Sequence, residues 1–358
     1  MPNFNVGRDE GYWIKELGDL KNLRGKIEIY NLDKVKDEEE AKGAKLKEKE
    51  IFNLGLYWFQ RHMYGKDEKV LEGLQPHPNL KRLTIELFGG KKFPSWVGSS
   101  LYHNLIEIEL SFCKECEEVP TLGQLPCLRV LDIYYMEKVR CIGSEFYFYS
   151  AESYRNTTTL FPALRRLKLE GMKSLEEWKD AKELTTADEV LFVFPCLEEL
   201  IISQCDKLRC LPDSLGRCSL QKLAVQDCPN LDLAGVSSIT SHGIKDPLSR
   251  LQCVEYMANG DCLPSSSTSS SHPSLQKLNL CDTAVLDGIS YSIVMEVSLE
   301  PHQYFIALKI LWIQRSFEMV ALPEGLGNLS SLQQLYIVDC NRLVHLPSKE
   351  AMRRLTQI

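Results

Sequence analysis

Apolar residues recur along this chain in one short arrangement, L-x-x-L-x-L. Leu80-Lys-Arg-Leu83-Thr-Ile85, Leu105-Ile-Glu-Ile108-Glu-Leu110, Leu128-Arg-Val-Leu131-Asp-Ile133 and Leu164-Arg-Arg-Leu167-Lys-Leu169 are the clearest copies, and others start at Leu197, Leu220, Leu275, Leu308 and Leu332. The fourth and sixth positions lie two apart, so both point to one side of a short strand, and the residues between and after them point to the other. Each copy therefore predicts a strand with an apolar side that it cannot bury alone. Stacking on neighbouring copies joins those sides into one core.

From Leu80 the successive starts are 25, 23, 36, 33, 23, 55, 33 and 24 residues apart. The short gaps fit one leucine-rich repeat and the longer ones a repeat with an inserted loop. A weak copy, Leu248-Ser-Arg-Leu251-Gln-Cys253, divides the 55-residue gap. An apolar-Pro pair follows most phrases, at Phe93-Pro94, Val119-Pro120, Leu211-Pro212, Leu322-Pro323 and Leu346-Pro347, with Leu263-Pro264 after the weak copy. Proline there suits an irregular return leg that needs no ladder donor. Upstream, Ile51-Phe-Asn-Leu54-Gly-Leu56 is a good copy and Arg24-Gly-Lys-Ile27-Glu-Ile29 a partial one. Between them the charged stretch from Asp33 to Glu50 places Ala41, Ala44 and Leu46 on one stripe, which predicts a solvated helix on the return side.

The expected fold is an α/β repeat: a leucine-rich-repeat solenoid, or horseshoe, with a parallel concave sheet and an irregular, short-helical convex side. It forms a single domain over 1–358. Residues 1–50 are a lead-in with the partial repeat and charged helix, and 51–358 are repeats with insertions near 141–160, 173–195, 232–247, 265–271 and 284–305.

Composition narrows the function. With 42 Lys and Arg against 49 Asp and Glu, the net charge is -7, so no basic field favours nucleic acid. No apolar run is long enough to span a membrane, and the first residues lack the apolar stretch of a signal peptide. The expected location is cytoplasmic. Of thirteen cysteines, Cys113, Cys205, Cys228 and Cys340 all fall eight residues after a phrase start, the Asn-or-Cys slot of this repeat. Cys127 and Cys196 share a second slot, before the phrase. Thiols placed by repeat register read as structural and reduced. Cys113 and Cys116 have metal-like spacing without a second pair, so no metal is expected. The sequons at Asn156 and Asn328 and the Ser265–Ser271 tract read as chance matches and a flexible loop. The chain has no G-x-x-x-x-G-K-[ST], H-E-x-x-H, G-x-S-x-G or G-x-G-x-x-G motif. No enzyme and no cofactor are expected.

A binding role would fall to the concave face. By strand alternation this carries positions two, four and six after each phrase start, with the seventh at its edge. Phe112, Tyr134 and Tyr135 are expected to cluster over adjacent repeats beside an acidic strip of Glu107, Glu109 and Asp132. The next repeat turns basic with Arg166 and Lys168. Trp312 and Tyr336 occupy one slot in consecutive repeats, where strands ~5 Å apart let the rings touch. Exposed aromatics beside charge reversals are the composition of protein-binding hot spots.

The wording of the repeats is itself distinctive. Val70-Leu-Glu-Gly-Leu-Gln-Pro-His-Pro-Asn-Leu-Lys-Arg-Leu83, Phe93-Pro-Ser-Trp-Val97, Gly123-Gln-Leu-Pro-Cys-Leu128 and Val139-Arg-Cys-Ile-Gly143 resemble the leucine-rich region of plant NB-LRR disease-resistance proteins of the coiled-coil class. The opening Ile14-Lys-Glu-Leu-Gly-Asp-Leu-Lys-Asn-Leu-Arg-Gly25 is similar to that family's lead-in. The resemblance implies plant defence. The repeats would bind a pathogen effector or a guarded host protein and restrain a nucleotide-dependent switch formed by the family's NB-ARC domain. That domain's phosphate loop is absent here, and the chain stops as another repeat is starting, which points to a fragment. The alternative is a free-standing adaptor, such as the substrate-binding module of a ubiquitin ligase. An extracellular receptor ectodomain fits less well.

Overall fold

The computed structural model describes residues 3–59, 65–148, 159–181, 192–231 (without 213, 216, 217, 219 and 229), 253–257, 276–281, 308–314 and 319–356 (without 323–325, 328 and 330). The insertions expected at 232–247, 265–271 and 284–305, and both sequons, lie outside the described residues. The chain forms two compact blocks, Met1–Leu197 and Glu198–Ile358.

In the first block, seven parallel strands follow one another in chain order: β1 (Asn3–Asn5), β2 (Gly25–Tyr30), β3 (Ile51–Tyr57), β4 (Arg82–Glu86), β5 (Glu107–Ser111), β6 (Val130–Tyr134) and β7 (Arg166–Glu170). The second block repeats the plan with β8 (Glu199–Ser203), β9 (Lys222–Gln226), β10 (Cys253–Met257), β11 (Lys277–Cys281), β12 (Ile310–Gln314) and β13 (Gln334–Val338). Register holds the phrases in columns. Leu83, Ile108, Leu131 and Leu167 are successive partners, as are Ile85, Leu110, Ile133 and Leu169. All eight face inward and are no more than 1% exposed. Each such side chain contributes about 1.5–3 kcal/mol on leaving water. That gain exists only while a neighbouring repeat covers it.

What ends the strands from β4 onward, wherever the following residue is described, is a backbone device. From Leu87 onward the residue seven after the phrase start takes positive φ wherever that residue is described: Leu87, Phe112, Tyr135, Gly171, Gln204, Asp227 and Asp339. For a residue with a side chain this conformation costs roughly 1–2 kcal/mol. Two gains offset it. The N–H of Leu87, Phe112, Tyr135 and Gln204 donates to the carbonyl of Ser111, Tyr134, Glu170 and Gln226, which adds a ladder bond past the strand end. The turn also drops the next residue into the core, where Phe88, Cys113, Met136, Met172, Cys205 and Cys228 are all at most 1% exposed.

The cysteines follow from this register. The Cys113 thiol donates to the carbonyls of Ile85 and Ser111 (3.8 and 3.5 Å), and Cys228 does the same toward Ile202 and Gln226 (3.8 and 3.2 Å). Cys116 occupies the next core slot, equivalent to Val139, Leu175 and Leu208, and its thiol donates to the Gly90 carbonyl at 3.2 Å. The Cys113–Cys116 spacing is therefore that of two core positions. The ten cysteines whose side chains are described are free, and Cys127 and Cys196 are exposed, so the slot they share lies outside the core.

Three further expectations need correction. The charged helix is broken into a single-turn α1 (Glu38–Lys42) between 3-10 turns at Leu32–Lys34 and Leu46–Glu48, because Lys45 has a φ of 49°. Its stripe of Ala41, Ala44 and Leu46 is nonetheless buried. The weak repeat pairs Lys222 with Cys253, which puts its phrase start at Leu251 and not Leu248. Finally, 141–160 and 173–195 are not wholly inserted loop. Cys141–Ile142 pairs with Glu177–Trp178, and Thr159–Leu160 with Phe192–Val193. These small ladders cover an aromatic core of Phe146, Tyr147, Phe161, Trp178 and Phe194, in which the Trp178 indole donates to the Tyr147 hydroxyl at 3.0 Å.

Among the described residues the return legs hold two buried carboxylates, Asp67 and Asp180. Asp67, in helix α2 (Lys66–Gly73), is 3% exposed, and burial pushes its carboxyl up to about 6 against the partial relief of Lys66, the Gly89 backbone and the Trp58 indole. Between an unfolded value near 3.8 and about 6, the folded chain binds the extra proton, so this group adds stability as pH falls through that window and costs stability above it. Measured by urea unfolding, the wild type should gain roughly 2–3 kcal/mol on Asp67→Asn between pH 7 and pH 4. A difference that does not change with pH would show that Asp67 is not the buried charge described.

Candidate recognition surface

The open face of the ladder in the first block carries three columns of outward residues. Lys26, Asn53, Arg82, Glu107, Val130 and Arg166 form the first. Gly55, Thr84, Glu109, Asp132 and Lys168 continue the second from Glu28. Tyr57, Glu86, Ser111, Tyr134 and Glu170 form the third.

The expected acidic strip is assembled, but its members differ. Glu107 pairs with Arg82 (3.1 Å) and Asp132 with Arg166 (3.4 Å), so Arg166 closes the strip from the neighbouring strand. Lys168 pairs with Glu170 at 2.6 Å and lies 4.7 Å from the centre of the Tyr134 ring, a cation–π contact. Glu109 accepts no hydrogen bond and meets no cation at ion-pair distance among the described residues. Burial, then the charges of Asp132, Glu86 and Glu107, hold its carboxyl above the usual range. Asp132 is 9% exposed, and burial likewise raises its carboxyl against Arg166 and Lys168.

The expected aromatic cluster resolves into two contacts. Phe112 and Tyr135, both at the positive-φ turn, stack at the sheet rim with centroids 4.7 Å apart and planes 13° from parallel. The Tyr135 hydroxyl donates to Glu170 at 3.2 Å. Tyr134 faces Lys168 instead. The row ends at Gly171, whose φ is +69° and where an added Cβ would lie 2.3 Å from the Tyr135 ring. In the second block Trp312 and Tyr336 are register partners and stack at 4.0 Å, 18° from parallel.

A third stack escaped the sequence reading. Tyr30 and Tyr57 lie 4.5 Å apart and 12° from parallel, with the Tyr30 hydroxyl donating to Glu28 at 2.8 Å. The Tyr57 ring folds back over Gly55, where a Cβ would meet it at 2.6 Å. Burial first, then Glu28, Tyr30, Glu86 and Glu109, raises the Tyr57 phenol. The signal was present: Tyr30 and Tyr57 stand six residues after Arg24 and Ile51, the slot that the alternation rule assigns to this face.

Among the described residues, no cluster of His, Cys, Asp or Glu is arranged to hold a metal ion, and no helix is long and apolar enough to cross a membrane. The surface offers rings, charges and backbone for binding.

The sequence comparisons agree with the repeat geometry. The R13L1/DRL21 leucine-rich-repeat family matches residues 14–136. The putative disease resistance RPP13-like protein 1 of Arabidopsis thaliana is 32% identical over 99% of this chain. The chain belongs with the leucine-rich-repeat regions of plant NB-LRR disease-resistance proteins. Disease resistance protein RGA2 of Solanum bulbocastanum is 36% identical over 57% of the chain. The chain spans 31% and 21% of the length of these two relatives. Among solved structures, the mouse RP105/MD-1 complex aligns over 94% of this chain and 50% of that one, at 16% identity and a TM-score of 0.42.

Gly171 is the position of this resistance-protein repeat at which a small change tests the rim most directly. Gly171→Ala should destabilise by roughly 1–3 kcal/mol, since it adds a Cβ at positive φ against the Tyr135 ring. The urea midpoint measures this. An unshifted midpoint would mean that the ring does not rest there.

Proposed function

We propose that this chain is the recognition region of a plant immune receptor. Its open sheet face binds a protein, either a pathogen effector or the host protein that an effector modifies. In a full-length relative the same repeats restrain a nucleotide-dependent switch until that ligand arrives. A ligand can bias such a switch only by binding its two states unequally, so the face that grips the ligand has to influence the contact with the switch.

The observation that carries this reading is the set of stacked aromatic pairs on the sheet face and rim. Phe112 and Tyr336 are each 37% exposed, although a ring of that size gains by burial. Rigid, half-exposed aromatics beside paired charges are the groups that dominate protein interfaces. The membership of a family named for disease resistance supplies the biological setting. The stacked rings and paired charges of this face are groups that serve binding.

Two double variants test the reading, Phe112→Ala with Tyr135→Ala and Trp312→Ala with Tyr336→Ala. Screened against an effector library in a two-hybrid assay, the wild-type chain should select a partner. At least one double variant should weaken that partner by about tenfold or more with the far-ultraviolet circular dichroism unchanged. Undiminished binding by both folded variants would remove the aromatic face from recognition.

A further inference from the structure

We infer that the open face between Tyr57 and Tyr134 receives a cationic polypeptide segment, whose arginine or lysine side chains settle against the carboxylates of Glu86 and Glu109 and the flanking tyrosine rings. The inference rests on reading the sheet face as a recognition surface, and it gives that surface a chemistry.

Four observations converge on it. The first is shape. Across β3 to β6 the second column reads Gly55, Thr84, Glu109, Asp132 and the third Tyr57, Glu86, Ser111, Tyr134. Thr84 and Ser111 are small, so they make a low floor between two tyrosine walls, with Gly55 lying under the Tyr57 ring. Three strand spacings separate those walls by about 14 Å, the reach of about four extended residues.

The second is charge. The cations around the floor are already engaged: Lys26 with Glu28, Arg82 with Glu107, Arg166 with Asp132 and Lys168 with Glu170. Neither Glu86 nor Glu109 meets a cation at ion-pair distance among the described residues. Burial and the neighbouring carboxylates already hold the Glu109 carboxyl high, a cost that an incoming cation relieves.

The third is an acceptor with unfilled capacity. Asp132 is 9% exposed and is the direct register partner of Glu109. Arg166 takes its Oδ2, and Oδ1 is buried without a hydrogen-bond partner. Buried carboxylate oxygens are ordinarily satisfied, so this one marks a place for a donor.

The fourth is the pair of walls. Tyrosine faces attract ammonium and guanidinium groups, and the Lys168–Tyr134 contact at 4.7 Å shows that geometry on this face. An anionic segment would add its charge to three carboxylates, and an apolar one would bury Glu86 and Glu109 without a partner.

Fluorescence anisotropy with the full chain and a labelled tetra-arginine peptide tests the proposal, with tetra-citrulline as the neutral isostere. Saturable one-to-one binding of tetra-arginine is expected, with none of tetra-citrulline. Glu86→Gln with Glu109→Gln should weaken it by about tenfold or more. Glu117→Gln with Glu118→Gln removes the same charge from residues on a return leg and should leave binding within about twofold. Equal weakening by both pairs would reduce the effect to the net charge of the chain and overturn the site, as would absent or unsaturable binding. Should the first pair fail to fold, Glu109→Gln alone carries the test, since it only relieves crowding among like charges. Failure here with the aromatic variants still losing their partner would leave recognition standing and remove only its cationic chemistry. Failure of the aromatic variants with tetra-arginine still captured would do the reverse.

Discussion

Strict parallel register between adjacent strands is the constraint on which the rest of this structure depends. Side chains alternate faces at every residue, so a slip of one position would turn each core leucine to water and each charged residue inward. The inward columns through Leu83 and Ile85 prevent that slip, because every member is sealed by the two repeats beside it. No repeat has a core of its own. Stability is shared between nearest neighbours, which lets repeats differ in length and in the content of their return legs while the strands stay aligned.

The same alignment shapes the outward face. Columns that hold the core in register also bring residues from distant parts of the sequence within a strand spacing of one another. Tyr30 meets Tyr57 and Trp312 meets Tyr336 because each pair holds equivalent places in consecutive repeats. Carboxylates gather by the same rule, so Glu109 sits among Asp132, Glu86 and Glu107 despite their mutual repulsion. Crowding of like charges is a cost that fold stability alone would select against. Its persistence on an otherwise well-paired face is what distinguishes that region from ordinary solvated surface.

Much of this was legible in the sequence, and the failures have physical causes. The strands, their faces and the core cysteines followed from a fixed phrase, because alternation and register are local rules. Trp312 and Tyr336 could be paired from numbering alone. Ion pairing was less accessible: Glu107, Glu109 and Asp132 look equivalent in the sequence, and only the positions of Arg82 and Arg166 separate them. The positive-φ turn was hidden because its occupants include Leu87, Phe112 and Tyr135, residues that local preference places elsewhere. Tertiary gain overrides preference there. The weak repeat was placed three residues early because Leu248 and Leu251 both satisfy the pattern, and only the pairing of Lys222 with Cys253 chooses between them. The ladders at Cys141–Ile142 and Thr159–Leu160 are two residues long, too short to leave a periodic signal.

The cysteine slots have a consequence of a different kind. Cys113, Cys205 and Cys228 are sealed in three separate repeats, whereas Cys127, Cys196 and Cys210 are open to solvent. A thiol reagent reacts only with what it can reach, so the open set marks time zero and the sealed set reacts when its own repeat comes apart. The chain thus carries native clocks spaced along its length. The order in which they run down would chart how unravelling spreads through the stack, and whether a bound ligand halts it locally or throughout.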